Sequence, residues 1–327
     1  MSLRDIAKAH MELNMCMLGS RGVGKTSVMA AIFDEARSSN GLSKSKIALL
    51  AESDTRTELL SKRMDLIEIF ENKETIADSG IAASDAVHTF KFNMGLLGQV
   101  PCVDFTVTDY PGEFLISNKD FVDEQIAKSS VIFIAIDSPY VMENNAEYNE
   151  QRNHVRLIYD YLSSNVDTLA DKLILLVPLK CEKYFLEKQM DLLNARIKDL
   201  YADIIDLFQN STNVALAITP ILTLGGVKFD HFKENNGQYI AKYSFVGDNA
   251  KFAPMFCVQP IYYMLSFVAK QYKEYRKDTG LWGTILQSIF NVIDNNEKLF
   301  DEFVKLAHYR IDERCGYSVL NGKNLFL

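Results

Sequence analysis

The sequence predicts an α/β fold in three layers, with a mostly parallel sheet between two layers of helices. Two observations lead to this prediction. Almost continuously apolar runs of strand length recur along the chain, and segments with helical periodicity separate them. Strands covered on both faces have such a composition, and strands that alternate with helices are typical of parallel sheets. With 327 residues, 48% of them hydrophobic, the chain can bury a large core.

The predicted strands are the apolar runs at residues 12–18, 87–92, 102–108, 131–136, 172–177 and 214–218, with a further short run at 47–50. The predicted helices cover residues 26–36, 56–70, 121–128, 148–162, 185–208 and 261–275. The runs at 87–92 and 102–108 are too close together for a helical crossover. We therefore predict one antiparallel edge hairpin in an otherwise parallel sheet.

Two regions depart from the alternation of strand and helix. Residues 227–252 carry Asn235, Asn236 and Gly237 between two aromatic-rich runs, which indicates an inserted β-hairpin. Residues 281–309 have the apolar spacing of amphipathic helices. We predict one domain over residues 1–280, with a helical insertion at about 53–72 and a hairpin insertion at about 227–252. Residues 281–327 are predicted as a C-terminal helical extension that packs on the core or on a second protein.

Charge and cysteine content restrict the class of protein. A formal net charge of −8 disfavours general binding to nucleic acid or to anionic membranes. The five cysteines are scattered without a C-x-x-C pair, which favours reduced thiols. Charged residues interrupt any apolar leader near the start, and no run is long enough to span a bilayer. We expect a cytoplasmic protein.

A Walker A motif, G-x-x-x-x-G-K-[ST], occupies residues 19–26 between the first predicted strand and the first predicted helix. In this context the backbone N–H groups of the loop and of the helix N-terminus surround phosphates. Lys25 is expected to reach the β- and γ-phosphates, and the Thr26 hydroxyl to bind Mg²⁺. The alternative is a glycine-rich turn with an exposed lysine. The candidate phosphate-binding residues are Gly19, Ser20, Arg21, Gly22, Val23, Gly24, Lys25, Thr26 and Ser27.

A second motif, D-x-P-G, follows the predicted strand at 102–108 and runs from Asp109 to Gly112. A carboxylate at this strand end can hold Mg²⁺ through water, and the Gly112 amide can meet a γ-phosphate. By itself D-x-P-G is only a turn signature. Its place one hairpin downstream of the Walker A motif favours the functional interpretation.

Lys180 and Glu182 follow the strand at 172–177, at the end where ligands of open α/β sheets bind. A guanine pocket needs an aliphatic lysine stem along the base and a carboxylate that accepts from the base edge. These two residues are the candidates, and a solvated loop is the alternative. The segment 219–225, after the next strand, is a candidate to supply a backbone amide to the base edge, and a glycine-rich exit from the strand is the alternative.

The order of these motifs over about residues 11–226 resembles that of Ras-like GTPases of the translation-factor (TRAFAC) class, in particular bacterial GTPase domains with a helical insertion before switch I. The resemblance implies a P-loop NTPase fold, Mg²⁺ dependence, GTP hydrolysis and switch behaviour. It also implies a switch I threonine on Mg²⁺, for which Thr75 is the first candidate and Ser79 or Ser84 the alternatives. Two positions differ from the family pattern: Leu179 stands where the base motif has Asn, and Glu113 where a water-orienting Gln is usual.

We therefore expect a Mg²⁺-dependent GTPase switch that binds GTP and GDP and acts on a protein partner or by self-association. One alternative is a nucleotide-binding interaction protein with little turnover. Another is an ATP-specific P-loop ATPase or kinase. The arginine-rich lid of small-molecule kinases is poorly represented, because the stretch after Asp137 offers only Arg152 and Arg156.

Overall fold

The computed structural model describes residues 11–38, 41–72, 86–275, 297–311 and 316–327. An eight-stranded sheet in the order β10-β7-β6-β5-β1-β4-β3-β2 lies at its centre, and β8 and β9 form a separate two-stranded sheet. The strands are β1 (Met11–Leu18), β2 (Ile47–Ala51), β3 (His88–Leu96), β4 (Val103–Asp109), β5 (Val131–Asp137), β6 (Leu173–Leu179), β7 (Ala215–Ile218), β8 (Val227–Asn235), β9 (Gln238–Phe245) and β10 (Ser318–Asn321).

Five strands of the central sheet, β4, β1, β5, β6 and β7, pair in parallel. Strand β3 is antiparallel to both β4 and β2, which confirms the predicted hairpin. The short run at 47–50 forms β2 at the outer side of this hairpin. A second antiparallel strand, β10, pairs with β7 at the opposite edge. The sequence analysis did not predict β10, which joins the C-terminal residues to the central sheet.

Helices cover both faces of the sheet. They are α1 (Lys25–Arg37), α2 (Ser53–Asn72), α3 (Phe114–Ser117), α4 (Lys119–Lys128), α5 (Ser138–Met142), α6 (Asn149–Asn153), α7 (Val155–Ser164), α8 (Glu182–Leu186), α9 (Met190–Leu200), α10 (Ala202–Phe208), α11 (Gln259–Tyr275) and α12 (Glu297–Ala307). One apolar core joins the sheet to α1, α2, α11 and α12, and a second joins it to α4, α7, α9 and α10. The alternation along β1 shows the division: Met15 and Met17 enter the first core, and Cys16 and Leu18 the second. The fold is the predicted three-layer α/β sandwich.

Two predicted helices are broken in the structure. The segment 148–162 divides at His154, which has φ 51°, and the segment 185–208 divides near Lys188, which has φ 57°, and again at Tyr201. The first break has a clear cause in the side chain of Asn153. Its Oδ1 accepts from the Asp137 amide at 2.8 Å, and its Nδ2 donates to the Asp137 carbonyl at 3.3 Å. These bonds hold α6 against the end of β5, so α7 starts in a new direction.

Part of the predicted C-terminal helical segment lies among the described residues. Helix α12 lies within the segment 281–309 and packs on α11, and Phe303 of α12 is fully buried. Residues 281–296 lie outside the described residues. Among the helices that the structure describes, none has the length and apolar character that crossing a membrane requires.

Candidate functional site

The carboxyl ends of four parallel strands meet at one edge of the sheet, and the predicted site residues lie there. The 19–26 loop follows β1, and Asp109 is the last residue of its neighbour β4. On the other side of β1, Asp137 ends β5 and pairs in register with Leu179, the last residue of β6. Lys180 comes next in the chain. Residues that are far apart in sequence thus face one crevice, where open α/β sheets bind their ligands.

The 19–26 loop leads directly into helix α1. Gly24 precedes the first helical residue with φ 110°, a conformation that favours glycine, and its carbonyl accepts the Val28 amide at 2.9 Å. The first turn of α1 contains no acidic residue that would offset the positive end of the helix dipole. The loop therefore presents an N-terminus that is suited to an anion.

The Lys25 side chain folds back over this loop. Its Nζ donates to the carbonyl oxygens of Gly19 at 2.9 Å and Ser20 at 3.4 Å. Nζ also lies 4.0 Å from Oδ1 of Asp109. Burial lowers the pKa of Lys25, although Asp109 acts in the opposite direction. A cation is thus held at the mouth of the loop by backbone oxygens and one carboxylate.

Thr26 and Asp109 form the candidate metal pair. The Thr26 hydroxyl donates to Oδ2 of Asp109 at 2.6 Å. Asp109 is only 1% exposed, and burial raises its pKa despite the nearby Lys25. One hydroxyl and one carboxylate supply oxygen ligands of the kind that Mg²⁺ prefers, with phosphates and water for the remaining positions. The two side chains fit the ion.

Other residues of the 19–26 loop differ in their surroundings. Val23 is fully buried and belongs to the core, and Ser27 is half-buried in α1. The Ser20 hydroxyl is buried and has no hydrogen-bond partner among the described residues. A buried hydroxyl that lacks a partner is costly, so Ser20 is a further candidate ligand-binding atom on the loop.

The D-x-P-G turn lies directly against the 19–26 loop. A Cβ atom at Gly112 would come within 2.0 Å of the Arg21 backbone nitrogen, so only glycine fits there. The next residue, Glu113, forms an ion pair with the Arg21 side chain. Tyr110 anchors the turn, because it is fully buried and its ring lies 5.6 Å from that of Phe121. Because the two segments are in contact, movement of this turn would also move the loop at Arg21.

Lys180 is the second cation at the crevice, and it approaches the 19–26 loop from the opposite side. Its Nζ donates to the Gly22 carbonyl at 3.1 Å and to Oδ2 of Asp137 at 2.9 Å. Nε of Arg152 also donates to Oδ2 of Asp137, at 2.9 Å. Asp137 is fully buried, and a Cβ atom on Gly22 would lie 3.5 Å from the Arg152 guanidinium. A carboxylate with two cations thus borders the loop.

Sequence reasoning missed Asp137 and Arg152 as parts of this site. Asp137 had a usable signal, because it ends an apolar strand at the edge where the other candidates lie. Arg152 had none, because its place beside Gly22 depends on how Asn153 fastens α6 to β5.

Glu182 lies differently from the predicted arrangement. It is 4% exposed, and its Oε1 accepts the amides of Leu224 at 2.9 Å and Gly225 at 3.2 Å. Burial raises its pKa, although these amides act in the opposite direction. The segment 219–225 was predicted to supply a backbone amide to the base. Two of its amides donate instead to the Glu182 carboxylate of the protein itself.

The candidate switch I residues Thr75, Ser79 and Ser84 lie outside the described residues. Thr89, the remaining threonine of this stretch, lies in β3 opposite Thr108 of β4. The described residues contain no cluster of three or more His, Cys, Asp or Glu side chains that could hold a metal ion.

No family model and no curated protein matches this chain. Among solved structures, the chain is similar to the S. cerevisiae Ski7 GTPase-like domain in two crystal structures, one bound to GTP and one bound to GDP and inorganic phosphate. Both matches have 14% identity and a TM-score of 0.36 and cover 68% of this chain. They span 45% and 46% of the Ski7 chains, which is less than half their length.

Proposed function

We propose that this chain binds a purine nucleoside triphosphate with Mg²⁺ and hydrolyses it slowly as a molecular switch. The observation that carries this proposal is the meeting of Lys25, Thr26 and Asp109 at the N-terminus of α1. The Lys25 ammonium and the backbone N–H groups of the loop and of the helix N-terminus suit the β- and γ-phosphates. Thr26 and Asp109 would hold Mg²⁺, which neutralises phosphate charge when bound.

The base end supports GTP as the nucleotide, with one competing feature. The Lys180–Glu182 spacing is that of a guanine pocket, and Lys180 contacts the 19–26 loop through the Gly22 carbonyl. Glu182, however, already accepts two backbone amides. This engagement favours ATP, or purines without selection, as the alternative.

The switch role is supported by the contact between the D-x-P-G turn and the loop. A γ-phosphate at the loop would lie near the Gly112 amide and would compete with Glu113 for the Arg21 guanidinium. Loss of the γ-phosphate would restore the ion pair. Gly112 and Arg21 are thus the proposed sensors of the triphosphate.

A second candidate function is nucleotide binding with little turnover, in an interaction or scaffold protein. The pairing of Glu113 with Arg21 favours it, because this acid stands where a water-orienting side chain is needed. In either case we propose a protein partner or a second copy of the chain as the source of any missing catalytic group. We also propose that residues 1–280 form the nucleotide-binding domain.

Single-turnover hydrolysis separates the two candidates. In the reaction, water attacks the γ-phosphorus and the bond to the β–γ bridging oxygen breaks, which yields the diphosphate, inorganic phosphate and a proton. We expect a rate on the order of 10⁻⁴–10⁻² s⁻¹ for the dilute protein, as in unassisted switch GTPases. Phosphate release at the level of a Lys25→Ala control would support binding without turnover. A rate above about 1 s⁻¹ would contradict the proposal of slow intrinsic hydrolysis.

A further inference from the structure

The β8–β9 hairpin lies outside the central sheet but reaches the candidate site. Phe229 of β8 and Tyr243 of β9 are directly opposed in its register. Phe229 is 4% exposed, whereas Tyr243 is half-buried. The two side chains therefore lie on the same face of the hairpin, where Phe229 is buried and Tyr243 keeps part of its surface exposed.

Lys180 of the predicted base motif and Lys183, three residues later, lie on this cross-strand pair. Nζ of Lys180 is 5.5 Å from the centre of the Tyr243 ring, and Nζ of Lys183 is 5.1 Å from that of Phe229. Because Lys180 also donates to the Gly22 carbonyl, one lysine side chain connects the Tyr243 ring to the 19–26 loop. The hairpin thus borders the end of the crevice that is opposite to the Thr26–Asp109 pair.

A tyrosine just after β5 fixes the hairpin at this place. The Tyr140 hydroxyl donates to the Tyr239 carbonyl at 2.6 Å and accepts the Ala241 amide at 3.3 Å. The Tyr140 ring also packs on Phe232 with 4.8 Å between ring centres. Tyr140 lies three residues after Asp137, the carboxylate that Lys180 binds. The hairpin and the Lys180 cluster are therefore held by the same strand end.

We infer that Tyr243 is a wall of the nucleoside-binding site, where its ring contacts the base or ribose of a nucleotide whose phosphates lie on the 19–26 loop. The inference rests on the proposed function. Lys180 connects the ring to the loop, and both side chains keep exposed surface, Lys180 to the extent of 16%. A purine presents a flat face that stacks on an aromatic ring without regard to base identity. The hairpin would thus supply affinity for the nucleoside where Glu182 is engaged by backbone amides.

The test is calorimetric titration of full-length wild type, Tyr243→Ala, Tyr243→Leu and Tyr243→Phe with GTP, ATP and inorganic tripolyphosphate, all with Mg²⁺. We expect Tyr243→Ala and Tyr243→Leu to weaken both nucleotides about tenfold, in line with the loss of one stacking contact. Tyr243→Phe should stay near wild type, and tripolyphosphate should bind all four proteins equally. The leucine variant keeps an apolar side chain in place if alanine loosens the hairpin.

Tyr239→Ala is the matched control, because Tyr239 is on the same strand but stacks on Tyr148, with 3.9 Å between ring centres. Its nucleotide affinity should stay within about twofold of wild type. Equal weakening by Tyr239→Ala and Tyr243→Ala would assign the effect to hairpin position and overturn the inference. Unchanged or tighter nucleotide binding by Tyr243→Ala would also overturn the inference. If wild type binds neither nucleotides nor tripolyphosphate, the proposed function itself fails.

Discussion

At the proposed phosphate end of the candidate site, which is formed by residues 19–26 and Asp109, the key side chains bind neighbours within a few residues or on the adjacent strand. At the base end, the predicted carboxylate accepts two amides from a segment about forty residues away. The phosphate end presents a lysine and a helix N-terminus to an anion. At the base end, the Glu182 carboxylate is already hydrogen-bonded to the backbone. A motif can thus keep its spacing in the sequence while one of its residues, here Glu182, is hydrogen-bonded to the protein's own backbone.

The largest effect is expected at the phosphate end, from Lys25→Ala. The ammonium would make charge-assisted hydrogen bonds to phosphate oxygens, each worth about 1.5–3 kcal/mol. We expect triphosphate affinity to fall about 100-fold or more, since each 1.4 kcal/mol is about tenfold. Calorimetry with GTP measures the change.

Lys128→Ala is the control for Lys25→Ala, because Lys128 is an exposed lysine at the end of α4 that pairs with Glu124 of the same helix. It should bind GTP as wild type does. Unchanged affinity in the Lys25→Ala protein would remove the phosphate end from the proposed site.

A smaller effect, on stability, is expected from Glu182→Ala at the base end. The substitution leaves the amides of Leu224 and Gly225 without their acceptor, which costs about 1–3 kcal/mol for a buried group. Urea unfolding measures the loss of folding free energy, and Glu187→Ala, an exposed acid just after α8, should show none. The opposite result is an unchanged free energy of unfolding together with a smaller difference between GTP and ATP affinity. It would mean that Glu182 binds the base, and the contrast between the two ends of the site would disappear.

The smallest effect is expected for the Arg21–Glu113 ion pair, because both side chains are exposed, at 53% and 44%. Such pairs contribute about 0.2–1 kcal/mol. A double-mutant cycle of Arg21→Ala and Glu113→Ala in urea unfolding should give a coupling energy in that range without nucleotide. A coupling well above it would mean that the turn and the loop are held together more firmly than a surface ion pair allows.

The sequence predicted most of the fold and the place of residues 19–26 between β1 and α1, because both depend on local patterns. The strand at 131–136 is apolar throughout and is fully buried as β5. The spacing within residues 19–26 brings Lys25 back onto the Gly19 carbonyl six residues earlier. Contacts of this kind follow from the order of neighbouring residues.

The features that the sequence did not predict depend on pairs of residues that are distant in sequence. Lys180 and Asp137 are 43 positions apart, and no spacing rule links them. The four residues of β10 are too few to show a strand pattern, and they become a strand because β7 offers them an open edge. Arg152 reaches Gly22 only because Asn153 is bonded to the end of β5.

Mg²⁺-dependent binding of a nucleoside triphosphate is tested most directly by calorimetric titration of the wild-type protein and of Thr26→Ala with GTP and ATP, in Mg²⁺ and in EDTA. We predict that Mg²⁺ strengthens wild-type binding at least about tenfold, since Thr26 and Asp109 fit the ion and the phosphates complete its ligands. Thr26→Ala should lose most of this difference. Absence of triphosphate binding in Mg²⁺, or equal affinity with and without the ion, would contradict the account.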